Sequence, residues 1–190
     1  MKKKYIIISL IIVILIALVY LFKTDFFLTD EQKDEKNKQT QITQIKKTKF
    51  ASLPIITMDE LEQKINNGED VIAYFGWIYE CGDARLFELN SFDKYLDDEN
   101  VTNKLFVINL DDEALEALSK PELRKPIAKR FQIDTWTKDS SLNPMELKSP
   151  QLVHYQNKKI VNLVSWTPLS SDSTYGIREE LSKAFFDTIK

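Results

Sequence analysis

One cysteine occurs in 190 residues, in the stretch Tyr79-Glu80-Cys81-Gly82-Asp83-Ala84-Arg85, directly after the apolar run "VIAYFG". A thiol at the junction between a buried strand and a following helix feels the positive end of the helix dipole and the free N–H groups of the first turn. Both favour the thiolate, the form that attacks disulfides. Glu80 and Asp83 oppose a second anion and Arg85 offsets part of that, so the direction of the shift stays open. The alternative for Cys81 is a small buried apolar side chain without chemistry. His154, the only histidine, falls on a separate strand and reads as an ordinary strand residue. One Cys and one His cannot build a zinc site. Asp111, Asp112 and Glu113 read as a solvated strand end, and the four scattered glycines form no phosphate loop, so neither a metal nor a cofactor is expected.

The elements that must position Cys81 follow from hydrophobic patterning. Thr57 and Glu60 have the spacing of a capping box, ahead of Met58, Leu61 and Ile65 on one helical face and Gly68 at the end. "DVIAYFG" and "KLFVINLDD" read as strands buried on both faces. Leu86, Leu89, Phe92 and Leu96 recur at helical spacing between them. A helix opening at Pro126 is expected ahead of "IAKRFQI". A polar loop over 135–149 comes next, and then a hairpin of "QLVHYQ" and "KIVNLVSW" about Asn157-Lys158. Ile177, Leu181, Ala184, Phe185 and Ile189 form a C-terminal amphipathic stripe. This order predicts an α/β fold, a mixed sheet flanked by helices, with Cys81 past the carboxyl end of a strand, where chemistry gathers in such sheets.

Residues 5–22 carry no charge and would span roughly 27 Å as a helix, close to the apolar thickness of a bilayer. No small-residue cleavage pattern closes the run, so an uncleaved transmembrane anchor is expected rather than a removed signal. Lys2, Lys3 and Lys4 predict a cytoplasmic tail at 1–4 and an extracytoplasmic remainder. Residues 23–50 are polar and read as a linker, leaving 51–190 as one domain. A net charge of −3 and a pI near 5.4 argue against nucleic acid as a partner.

The segments "DVIAYFGWIYECGDARLF" and "SPQLVHYQNKKIV" resemble the thioredoxin-like family. The spacing "FGWIYECGDARLF" is most similar to the bacteriocin-accessory, thiol-disulfide isomerase-like proteins of Gram-positive bacteria. The resemblance implies a thioredoxin-like domain with Cys81 as the first active-site cysteine and Pro150 as the proline that packs against it. Ser149 precedes that proline and Trp77 lies in the approach, so Trp77, Ser149 and Pro150 are the implied substrate contacts. Ala84 stands where the family has its second cysteine, and a dithiol oxidoreductase is thereby opposed. What remains is a protein that binds exported or envelope polypeptides, with monothiol exchange or isomerisation at Cys81. The alternative is a redox-inactive scaffold or accessory subunit of an envelope secretion, bacteriocin-export or conjugative transfer machine. Of the tryptophans, Trp136 falls in the polar loop, where it is a candidate contact if exposed although packing is the leading reading, and Trp166 reads as core.

Overall fold

In the computed structural model the described residues are 12–14, 19, 28–136, 146–166 and 176–189. The chain divides into two compact units, residues 1–40 and 41–190. In the first, residues 12–14 and 19 are helical, and helix α1 (Asp30–Ile45) begins. The expected membrane-spanning helix over 5–22 is corrected here. Among the described residues no helix is long and apolar enough to cross a membrane. The long N-terminal helix that is described, α1, is too rich in charged and amide side chains to enter a bilayer. The rest of 5–22, beyond residues 12–14 and 19, lies outside the described residues. The single-pass placement, with a cytoplasmic N-terminus and an extracytoplasmic domain, loses its support with that helix.

The second unit is an α/β fold. Its four-stranded mixed sheet has the order β2-β1-β3-β4, with β1 Val71–Gly76, β2 Leu105–Asn109, β3 Gln151–Gln156 and β4 Lys159–Ser165. β1 runs parallel to β2 and antiparallel to β3, and β3 and β4 form the expected hairpin. Asn157 and Lys158 both take positive φ, 51° and 69°, the conformation that lets a two-residue loop follow the strands' twist. Alternate residues of β1 serve two cores. Ile72 and Tyr74 meet Phe50, Phe87 and Phe92 on one face, while Ala73 and Phe75 meet Leu61 and Phe131 on the other. Both faces are thus covered, which is why the strand reads as an unbroken apolar run. A parallel bridge between Ile55 and Val107 covers the outer edge of β2.

Helix α2 (Met58–Asn67) has the full capping box: Glu60 N–H donates to Thr57 Oγ1 at 3.1 Å, and Thr57 N–H to Glu60 Oε2 at 2.7 Å. It ends at Gly68, whose φ of 80° favours glycine. The polar segment before residue 51 differs from the expected tether. Over Asp30–Ile45 it is helical, and Ile42, Ile45 and Phe50 are buried, because a few apolar side chains at the end of a solvated helix suffice to anchor it.

Two further helices depart from their sequence patterns. α3 (Gly82–Phe87) runs into a π-helical segment, Glu88–Phe92. The extra residue per turn rotates the buried face, so that Phe87, Glu88, Ser91 and Phe92 turn inward while Leu86 and Leu89 stay partly exposed. α4 (Pro121–Arg130) starts at Pro121 rather than Pro126, and Pro126 lies inside it. Pro121 takes the first-turn position that needs no N–H. α5 (Glu179–Phe186) buries Phe185 as expected, and Phe186 with it, while Ala184 of the expected stripe is exposed.

Candidate functional site

Cys81 caps α3, and the carboxyl end of β1 delivers it there through the turn 77–81. Two charged side chains clamp this turn. Arg85 Nη1 donates to the carbonyls of Ile78 and Tyr79 at 3.1 and 3.0 Å. From the other side Asp111, just after β2, accepts from Tyr79 N–H at 2.9 Å. Asp111 is therefore a partner of the site's backbone rather than a solvated acid. Arg85 Nε also donates to Gln41 Oε1 at 2.8 Å, which ties the chain before residue 50 to the site.

The segment before β3 closes the other wall. Ser149 Oγ accepts from Trp77 N–H at 2.8 Å, and the Cys81 thiol donates to the Ser149 carbonyl at 3.4 Å. The Ser149–Pro150 peptide bond is cis, and Pro150 O accepts from Trp166 N–H at 2.9 Å. Cys81 and the Ser149–Pro150 pair are thus brought together, although Cys81 lies 68 positions before Ser149 in the chain. Trp77 is brought there too, but only 1% of it is exposed. Its indole is packing under the site rather than an open rim.

A cavity of about 380 Å³ opens between these walls, with Cys81, Arg124, Glu146 and Lys148 among its lining residues. Sequence reasoning missed a further wall. Trp166, expected in the core, is half-buried and donates from Nε1 to Asp83 Oδ2 at 2.8 Å, while Lys148 Nζ sits 5.6 Å from its ring centre. Asp83 thereby joins the first turn of α3 to the end of β4. Gly176 packs on this joint so closely that a Cβ there would lie 2.8 Å from Trp166 Cδ1 and 2.9 Å from Pro150 Cδ. No local signal marks the Trp166–Asp83 pairing, which spans 83 residues. Trp136 is half-buried against the apolar cluster that holds Trp77, and the loop residues 137–145 lie outside the described residues.

His154 is 3% exposed and makes a 2.7 Å hydrogen bond from Nε2 to Asp70 Oδ1 at the far end of β3. It has a structural partner and no part in the cavity. Among the described residues no group of three or more His, Cys, Asp or Glu side chains is arranged to hold a metal ion.

The electrostatic direction left open by the sequence is now set. Burial pushes the Cys81 thiol above its ordinary range, and the Asp83 carboxylate adds to this. The N–H groups of Ala84 and Asp83 and the Ser149 side chain favour the thiolate but do not outweigh burial. At neutral pH Cys81 is a thiol. Its alkylation by iodoacetamide at pH 7.5 is expected to run slower than that of a free cysteine peptide, and to keep rising above the pH at which the peptide's rate levels off. A rate that levels off below pH 8 would contradict this environment.

No protein-family model matches the chain, and no curated protein matches it.

Proposed function

We propose that this protein is a thioredoxin-fold polypeptide-binding protein that holds polypeptide segments in the cavity between Cys81 and Ser149–Pro150. The observation that carries this reading is the meeting of Cys81 with the Ser149 carbonyl at 3.4 Å beside an open cavity walled by tryptophan. That junction joins the carboxyl end of β1 to the start of β3. A concave site with aromatic walls and a few convergent polar groups suits a peptide side chain and its backbone. Ala84 and the protonated state of Cys81 favour binding over redox turnover.

A second reading, isomerisation, is supported by the position of Cys81 on the cavity wall. Its thiolate would attack one sulfur of a peptide disulfide, breaking the S–S bond and releasing a peptide thiolate. A different peptide thiolate would then attack the mixed disulfide and expel Cys81, with no net change in electrons. Ala84 supplies no sulfur to resolve the adduct within this chain, so net oxidation or reduction needs an external thiol.

The test uses the full chain and a permanently unfolded, carboxymethylated protein as probe. Binding is expected to survive Cys81→Ala within about twofold and to fall at least tenfold in Trp166→Ala combined with Lys148→Glu. If the parent captures no unfolded chain, the binding reading fails. If an uncarboxymethylated, disulfide-bearing probe gives adducts that vanish in Cys81→Ala, exchange becomes the better reading.

A further inference from the structure

Glu88 is fully buried, on the helical segment that continues from Cys81. One carboxyl oxygen accepts from the Tyr74 hydroxyl at 2.7 Å, and the other, Oε2, is buried without a hydrogen-bond partner. Aromatic rings of Tyr74, Phe87 and Phe92 pack together in the same core. A carboxyl so placed is tolerated while neutral. Ionised, it needs a counter-charge.

The nearest cation by chain position is Arg85, three residues earlier, a spacing that puts two side chains on one helical face. Arg85 is committed elsewhere, to the carbonyls of Ile78 and Tyr79. The charged and titratable groups that act on Glu88 come from three elements: Tyr74 from β1, Arg85 from α3, and Asp111 from the turn after β2. The Cys81 thiol acts on the pair through Tyr74. Asp111 also keeps a buried oxygen, Oδ1, without a partner. Two acids with orphaned oxygens therefore act on one another beside the arginine that clamps the turn.

We propose that Glu88 is a proton-operated latch on the turn that carries Cys81: when its carboxyl ionises, Arg85 leaves the Ile78 and Tyr79 carbonyls to pair with it, and the turn opens. While Glu88 is neutral, Arg85 holds the carbonyls and Asp111 holds the Tyr79 N–H. Ionised Glu88 takes the cation and repels Asp111, which weakens both halves of the clamp together. Burial, followed by the Asp111 charge, holds the carboxyl up to about 8, so the latch would work in the mildly alkaline range. Cys81 N–H bonds to the Trp77 carbonyl across this turn, at 2.9 Å, so opening it frees the cavity wall. That consequence rests on the cavity being the binding site. The latch itself does not.

The experiment is pulse-labelled hydrogen exchange on the full chain between pH 6 and 9.5, read at the Tyr79 and Cys81 amides. After correction for intrinsic base catalysis, their protection is expected to fall at least tenfold across the ionisation of Glu88, and to stay level in Glu88→Gln. Unchanged protection in the parent, or the same fall in the variant, would overturn the latch. Should the variant not fold, ¹³C-carboxyl titration of Glu88 in the parent decides. Its midpoint must coincide with the loss of protection, and a mismatch beyond one pH unit overturns the proposal. Capture of the carboxymethylated probe at pH 6.5 and 8.5 separates the two ideas. Amides that open without any change in capture leave the latch standing and count against the cavity as the binding site.

Discussion

Gly176→Val is expected to destabilise the protein by about 2–4 kcal/mol and to abolish probe binding. Gly176 has a φ of 65°, in the left-handed region where a side chain is strained. A Cβ would lie 2.8 Å from Trp166 Cδ1, 2.9 Å from Pro150 Cδ and 3.0 Å from Asp83 Cβ. None of these is the free end of a flexible chain: they belong to an indole, a proline ring and an atom bonded directly to backbone. The added carbon must therefore push apart Asp83, Pro150 and Trp166, and with them the 2.8 Å bond from Trp166 to Asp83. Urea unfolding measures the stability loss, and the fluorescence of Trp166 in a Trp77→Phe, Trp136→Phe background follows the joint itself. Stability within about 0.5 kcal/mol of the parent would mean that Gly176 does not pack on the joint in this way.

Glu88→Gln should remove a large part of the pH dependence of stability. The folded carboxyl is raised to about 8 from an ordinary value of 4.5, so the native state keeps a proton that the unfolded chain has released. Below pH 4.5 both states are protonated and the group costs nothing. From there to about pH 8 the parent loses up to about 1.4 kcal/mol per pH unit, because stability falls with pH wherever the native state binds more protons. Above pH 8 both states are ionised and the loss levels off. The amide of glutamine has the same shape, still accepts from Tyr74 and carries no charge to desolvate. Between pH 5 and pH 8 the variant is expected to gain on the order of 2–4 kcal/mol relative to the parent. Urea midpoints at the two pH values measure this. Parallel curves for the two proteins would show that Glu88 is not the buried neutral acid described here.

How much was legible beforehand depends on the range of the interaction. Thr57 with Glu60, Gly68, and Asn157 with Lys158 were read from the sequence because each works within three or four residues. The two-sided burial of β1 and the place of Cys81 at its end were legible for the same reason, since periodicity and turn chemistry are local. The approach of Ser149 and Pro150 to Cys81 came from resemblance to a known arrangement, not from spacing. Glu88 escaped because a π-helical residue shifted the buried stripe, and no pattern based on a regular helix puts a glutamate inside. The segment before residue 51 escaped because its average composition is that of a tether, while its burial depends on Ile42, Ile45 and Phe50 meeting a core built by later strands. Local pattern was enough for the four strands, for helix α2 and for the point where strand hands over to helix at the thiol. Only the tertiary structure decided what surrounds that thiol. The burial that raises the Cys81 thiol, the Trp166–Asp83 joint and the hold of Asp111 on Tyr79 are made by side chains that long-range packing brings together, whereas Arg85 reaches carbonyls only six and seven residues away.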